Sequence, residues 1–307
     1  MVQKPNLAII LINWNSYKYT HECLSSIKEA NHSNHTYKII VVDNGSEKQD
    51  AKNLTWDKRV DKLILNEKNK GYVVASNQAI KYAVDKEFDY ILQLDNDTVI
   101  DKECIEELVK IAETYDKIGI VGAKIFYHNE PTRLQWAGED MNFWTGDIVG
   151  LSRGITRVLG RKEFDDSKYN EVKEVDYVVS WCSLSRRKVW EEVGLLDESF
   201  FFGWEDDDFC IRVKKAGYRI FWTPKAKLWH RYSSAFALDG HLQYYGPKNR
   251  FKFMRKHATI PQLITFYLFF FIVHFWLATA YYLLWVRKPK IWLRFLKGAW
   301  DGVRCID

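Results

Sequence analysis

Tyr90-Ile91-Leu92-Gln93-Leu94-Asp95-Asn96-Asp97 carries a largely apolar run straight into two carboxylates one residue apart. A run of this length, closed by Asp and Asn, reads as a strand buried on both faces of a sheet. Hard divalent cations that bridge phosphates prefer oxygen ligands, so the end of this strand is a candidate diphosphate and metal site. A D-x-D triplet alone also arises in ordinary turns; its place directly after a hydrophobic strand singles it out.

Working outward, Leu7 to Ile12 is a second apolar run, bounded by Asn13 and Asn15, and Ile39 to Val42 a third, ending at Asp43-Asn44-Gly45. Tyr17 to Glu29, Val73 to Val84 and Asp101 to Glu113 place apolar residues at helical spacing between and after the strands. This alternation predicts an α/β fold with a doubly wound, mostly parallel sheet. Ligands of such sheets gather beyond the carboxyl ends of the strands, where Asn13, Asp43 and Asp95 stand. From Phe126 to Asp176 the pattern loosens, with Gly138, Gly146, Gly150, Gly154 and Gly160 among Trp136 and Trp144, which predicts long loops or hairpins. Order returns at Val175 to Val179, in helices over Arg186 to Val193 and Asp206 to Lys215, and in short strands over Arg219 to Trp222 and Lys227 to His230.

Phe200-Phe201-Phe202-Gly203-Trp204-Glu205-Asp206-Asp207-Asp208 sets four acids behind an aromatic wall and ahead of a helical pattern. Acids in a first helical turn complement the helix dipole, and this structural reading stands beside a chemical one. One residue suffices to cap a helix, whereas four adjacent like charges repel. A cationic partner or a proton is therefore expected among them.

The ordered set Asn13-Trp14-Asn15-Ser16, Val42-Asp43-Asn44-Gly45-Ser46, Asn69-Lys70-Gly71-Tyr72 followed by Asn77, Leu94-Asp95-Asn96-Asp97, Trp204-Glu205-Asp206-Asp207-Asp208 leading to Arg212, and Trp229-His230 resembles family 2 inverting glycosyltransferases of the GT-A fold. The resemblance covers roughly Leu7 to His230 and is greatest to rhamnosyl- and galactofuranosyltransferases. It implies that Asp43 reads the nucleobase, that Asp95 meets the ribose or the metal, and that Asp97 ligates the metal. Asp206 would be the catalytic base, with Glu205 beside it. His230 would be the second protein ligand to Mg²⁺ or Mn²⁺, where neutral imidazole suits an oxygen-rich shell; a packed histidine is the plain alternative. Asn13, Asn15, Asn69, Gly71, Asn77 and Asn96 would line the sugar-nucleotide pocket. Trp181, Trp204 and Asp208 would face the acceptor, although large aromatics also serve as core. The implied reaction is transfer of a sugar from UDP or dTDP to a glycan or polyprenyl-linked hydroxyl.

The chain has 307 residues, 47% hydrophobic and 16% aromatic, with 13 Trp, which is more apolar surface than a soluble domain needs. A net charge of +5 falls short of a dedicated nucleic-acid binder, and no nucleic-acid partner is expected. Cys23, Cys104, Cys182, Cys210 and Cys305 are scattered without C-x-x-C spacing, so no disulfide framework or thiolate zinc site is indicated. Met1 to Pro5 lacks the succession of a signal peptide, and the sequon Asn96-Asp97-Thr98 falls inside the candidate motif, so a cytoplasmic catalytic region is expected. Ala258 to Val286 contains no Asp, Glu, Lys or Arg, long enough to cross a bilayer. Arg250, Lys252, Arg255 and Lys256 precede it and Arg287, Lys288, Lys290, Arg294 and Lys297 follow, so orientation is undecided. Residues 291–304 read as a basic amphipathic helix, flat on a membrane or packed on the catalytic domain. The expectation is a catalytic domain over 1–250 and a membrane-associated helical region over 251–307, peripheral or single-pass, at the cytoplasmic face.

A sugar-phosphate nucleotidyltransferase could also use a D-x-D site, but it needs a phosphate-cradling Gly-rich loop that Leu7 to Ser16 does not supply. A dinucleotide oxidoreductase lacks its G-x-G-x-x-G after the first strand. A non-catalytic, membrane-anchored glycan-binding protein would have no use for the intact acid set.

Overall fold

A computed structural model describes residues 4–138, 140–149, 163–201, 203–231 and 241–304. The expectations that involve Gly150, Gly154, Gly160, Phe202 and Cys305 lie outside these residues.

β1 (Asn6–Asn13), β2 (Thr36–Asp43), β3 (Lys62–Leu65) and β4 (Tyr90–Leu94) pair in parallel in the order β3-β2-β1-β4. Leu7, Ile9, Ile39, Val41 and Leu92 are fully buried, each contributing ~1.5–3 kcal/mol of apolar burial. The register sets Asn13 opposite Asp43 and Ile10 opposite Gln93, so the carboxyl ends of β1 and β2 finish level, with Asp95 just beyond β4. α1 (Tyr17–Glu29), α2 (Lys48–Trp56) and α3 (Tyr72–Asp85) connect these strands. Gly45 and Gly71, at φ +76° and +88°, make the turns that follow β2 and precede α3. A Cβ at Gly45 would run into the Lys68 backbone, so this glycine brings the 66–71 loop against the end of β2.

Beyond β4 the parallel arrangement stops. β12 (Cys182–Arg186) pairs antiparallel with both β4 and β6 (Ile118–Tyr127), and β6 pairs antiparallel with β7 (Glu130–Trp136) but parallel with β13 (Arg219–His230). β13 also carries β5 (Thr98–Ile100) and β11 (Lys173–Glu174), and β10 (Glu163–Phe164) extends β7. The sheet is therefore mixed, with its parallel half where the sequence predicts it. The predicted hairpins are β6-β7 and the separate pair β8 (Asp140–Asn142) and β9 (Asp147–Val149). Val175 to Val179 forms no strand, and the two short strands expected over 219–230 are one, with a register shift between Thr223 and Lys227 around Pro224. α4 (Cys104–Ala112), α5 (Arg187–Val193) and α6 (Glu205–Lys215) complete the α/β body.

α7 (His241–His257), α8 (Ile260–Trp285) and α9 (Pro289–Arg304) follow. Residue 250, the expected domain boundary, lies inside α7. Asn249 Nδ2 donates to the Gly203 carbonyl at 2.9 Å and Lys252 Nζ to the Ser199 carbonyl at 3.2 Å, tying this helix to the loop ahead of the four acids.

Candidate active site

Three strand ends build the floor. Asn13 Nδ2 donates to Asp43 Oδ1 at 2.9 Å and to Ser46 Oγ at 3.1 Å, and Ser46 N donates to Asp43 Oδ2 at 3.2 Å. Asn96 Nδ2 donates to Ser16 Oγ and Thr20 Oγ1, both at 2.7 Å, and Thr20 Oγ1 donates to Asn13 Oδ1 at 2.7 Å. One network thus joins β1, β2 and the turn between Asp95 and Asp97. Asn15 holds a left-handed φ of +50° and accepts from Glu47 N at 2.7 Å, leaving Trp14 exposed at the rim. Asn44 Nδ2 donates to Asn69 Oδ1 at 3.0 Å and to the Gly71 carbonyl at 3.1 Å, fixing the 69–71 loop over this floor. The one mark of Asn44 in the sequence is its place in the Asx pair Asp43-Asn44 directly after an apolar run.

Asp95, Asp97 and His230 converge although 133 positions separate the second from the third. The β13-β5 pairing sets His230 opposite Thr98, and Arg231 N donates to the Asp97 carbonyl at 3.1 Å. One ligand atom from each of the three residues lies within 4.8 Å of the others; among the described residues no other His, Cys, Asp or Glu group does so. His230 Nε2 is 3.2 Å from Asp97 Oδ1 and 3.9 Å from Asp95 Oδ2. Its Nδ1 donates to Gln135 Oε1 at 3.0 Å, which turns Nε2 toward the carboxylates. Burial works against the imidazolium, but the Asp97 and Asp95 carboxylates outweigh it and raise the His230 pKa. Burial, with the charges of Asp97 and Asp206, pushes the Asp95 pKa up to about 7, against the pull of His230. Two carboxylates that oppose each other's ionisation, beside an imidazole oriented from behind, fit a divalent cation.

The second wall is the acidic motif. Gly203 and Trp204 both sit at left-handed φ, +76° and +78°, so the chain turns sharply into α6. A tryptophan in that region is strained, a feature that concentrates at functional sites. Glu205, Asp206, Asp207 and Asp208 form the first turn of the helix, and all four are buried. Asp206 Oδ2 accepts from Tyr177 Oη at 3.1 Å and Ser180 N at 3.3 Å, while its Oδ1 accepts from Asp207 N at 3.0 Å. Neither Tyr177 nor Ser180 could be foreseen, since both come from an irregular segment. Trp181 passes between the walls: its carbonyl accepts from Asp95 N at 3.1 Å, and its ring lies 4.8 Å from that of His230.

Three candidates have structural partners of their own. Asp208 is fully buried and contacts Arg212 Nε at 2.8 Å, Lys256 Nζ at 2.7 Å and His257 Nε2 at 2.7 Å, so it clamps α6 to α7 and presents nothing to an acceptor. Among the four acids, the expected cationic partner is found at Asp208, in Arg212 and Lys256. Asn77 bonds through both amide atoms to the Leu196 backbone, at 3.0 Å each, on the buried side of α3, and so holds the 196–198 loop. Trp204 turns its ring toward Phe253 of α7, 5.1 Å between centroids.

Residues 8–194 match the family described as Glycosyl transferase family 2. The uncharacterized protein y4gI of Sinorhizobium fredii is 29% identical over 230 residues, 72% of this chain and 23% of its own length. The low-salt glycan biosynthesis hexosyltransferase Agl10 of Haloferax volcanii is 27% identical over 70% of this chain and 64% of its own, so the chain spans less than two thirds of either relative. The dTDP-rhamnosyl transferase RfbF of Shigella flexneri is 23% identical over 98% of this chain and 96% of its own. The fold is shared with TarS 1-349 of S. aureus in complex with UDP-GlcNAc, at a TM-score of 0.60, 17% identity and coverage of 97% and 81%. It is shared also with the mannosyltransferase PcManGT of Pyrobaculum calidifontis in complex with GDP-Man and Mn²⁺, at 0.62, 12% identity and coverage of 100% and 89%. These likenesses establish the GT-A fold.

Proposed function

The chain belongs to glycosyltransferase family 2, and from that premise we propose an inverting transfer of a sugar from UDP or dTDP to a hydroxyl of a glycan or polyprenyl-linked acceptor, in the synthesis of a cell-surface polysaccharide or glycoconjugate. The observation that carries this reading is the convergence of Asp95, Asp97 and His230 at the ends of the sheet, within electrostatic reach of Asp206.

Asp97 and His230 would hold Mg²⁺ or Mn²⁺, with Asp95 completing the shell or meeting the ribose. A cation bound there offsets negative charge on the departing diphosphate. Asn13, Asn15, Asp43, Asn69, Gly71 and Asn96 form the nucleotide side, where Gly71 leaves room for close backbone approach. Asp206, held by Tyr177 and the Ser180 amide, receives the acceptor proton as the acceptor oxygen bonds to the anomeric carbon and the bond to the phosphate oxygen breaks. Attack opposite the diphosphate inverts the anomeric configuration. Glu205, its neighbour in the buried first turn, is assigned to the same catalytic wall, and Trp181 to stacking on a sugar face.

We assign residues 1–250 to catalysis and 251–307 to membrane association at the cytoplasmic face; the 26-residue apolar helix supports the second assignment. Release of UDP or dTDP from a sugar-nucleotide panel tests the reading. One donor class is expected to turn over, with chelation abolishing release and Mg²⁺ or Mn²⁺ restoring it. Turnover indifferent to chelator would remove the metal from the scheme.

A further inference from the structure

α8 is 26 residues long, about 39 Å at 1.5 Å per residue, which is sufficient to cross a bilayer. A crossing also requires whatever packs beside the helix at mid-depth to tolerate hydrocarbon. α9 folds back along α8: Trp292 Nε1 donates to Thr279 Oγ1 at 3.1 Å, and the Phe295 ring lies 6.3 Å from that of Phe270 and 6.0 Å from that of Phe275. Phe295 is thus level with the middle of α8. Arg294 and Lys297, on either side of it, are exposed. Were α8 to span, both charges would stand near the bilayer midplane, where an unpaired cation is strongly disfavoured.

α9 cannot swing away to avoid this. Gly298 and Gly302, four residues apart, let α9 meet α7 backbone to backbone: a Cβ on the first would fall on the Tyr244 carbonyl oxygen, and one on the second would lie 2.9 Å from Lys248 Cα. Tyr244 Oη donates to Asp301 Oδ2 at 2.8 Å, and Arg255 donates to the Gly302 carbonyl. α7 in turn is bonded to the loop and helix that carry Asp206. The three helices and the catalytic body are one unit.

The outward side of α8 has a different character. Phe266, Phe270 and Ala278 are buried, and the residues about half a turn away form an exposed stripe at spacings of four or multiples of four: Ile260, Ile264, Leu268, Ile272, Trp276 and Leu284. Ile272 is 68% and Leu284 74% exposed, more apolar surface than a water-facing helix tolerates in one band. The turn and helix that follow carry Arg287, Lys288, Lys290, Arg294 and Lys297, all exposed, the charge complement of anionic headgroups.

We infer that the chain is monotopic: the stripe of α8 lies in one leaflet, the basic residues of the α8–α9 turn and α9 meet the headgroups of that same leaflet, and no segment among the described residues crosses. The inference rests on the membrane association proposed above and removes the single-pass alternative. It places the acceptor hydroxyl at the surface of the leaflet on which α8 lies.

The test uses the full chain with Cys305→Ser and a single added thiol, either Lys288→Cys or, as an orientation control on the exposed face of α2, Gln49→Cys. In sealed membrane vesicles whose control thiol reacts with an impermeant maleimide, the Lys288→Cys thiol is expected to react equally without detergent. Reaction only after permeabilisation would show a crossing and overturn the inference while leaving membrane association intact. Purified parent is expected to float with phosphatidylcholine–phosphatidylglycerol vesicles, and Ile272→Asp to bind ~tenfold less with an unchanged circular dichroism spectrum. A parent that does not float overturns both membrane association and the inference. Equal flotation by Ile272→Asp, or a vesicle-independent dimer that this variant abolishes, overturns the lipid assignment of the stripe.

Discussion

Gln135 shows how much of this site depends on a residue that touches no substrate. Its Oε1 accepts the His230 Nδ1 proton, so Nε2 keeps its lone pair for the position between Asp97 and Asp95. Gln135→Leu preserves volume in a buried place but lets the imidazole change tautomer or rotate. The expected result is a 10–100-fold loss of Mn²⁺ affinity, read by direct titration on a folded variant, since outer-shell partners of metal-bound histidines are typically worth about that much. Unchanged affinity would mean that His230 is not a ligand. Asp95 and Asp97 were legible as soon as the strand ahead of them was read, because polar residues beyond a buried parallel strand have few purposes. His230 was legible only through resemblance, and Gln135 not at all: its role depends on how β7 and β13 flank β6, which no local pattern carries.

At the scale of elements, the buried ionic clamp between α6 and α7 sets the position of the acidic motif. Burial alone would raise the Asp208 pKa, but hydrogen bonds from His257, Lys256 and Arg212 outweigh it and hold the carboxyl below its ordinary 3.8. A carboxylate with a depressed folded pKa contributes its full stability above the unfolded value and loses it as pH falls through the folded one. Asp208→Asn is therefore expected to cost ~1–3 kcal/mol at neutral pH, by removing the charged acceptor that three donors share, while Lys256 keeps Asp197 and Arg212 keeps two backbone carbonyls. Its stability should also fall less steeply than the parent's below pH 3.8, as followed by denaturant titration across acid pH. A variant as stable as the parent would show that the clamp is incidental. The elements themselves were unevenly readable. β1, β2, β4, α1 and α3 announce themselves because parallel strands buried on both faces are continuous apolar runs. β12 does not: Ser183 and Ser185 interrupt it, and its antiparallel place between β4 and β6 is set by distant partners.

At the scale of the whole molecule, Asp95, Asp97 and His230 gather at the strand ends, and Asp206 lies within electrostatic reach of them on a helix that α7 clamps in place. The α/β class and the parallel half of the sheet follow from periodicity alone; the antiparallel half and the packing of α9 against both α7 and α8 do not, because they rest on contacts far apart in the chain. Labour is divided between the two groups, with donor and cation at Asp95, Asp97 and His230 and the acceptor proton at Asp206. Comparing Asp97→Ala with Asp206→Asn in equilibrium donor binding with Mn²⁺ and in transfer under the same conditions tests this division most directly. Asp97→Ala is expected to lose donor binding together with metal dependence. Asp206→Asn should bind donor as the parent does, within about twofold, yet transfer at least ~10²-fold more slowly. Transfer by Asp206→Asn at the parental rate would show that Asp206 is not the base.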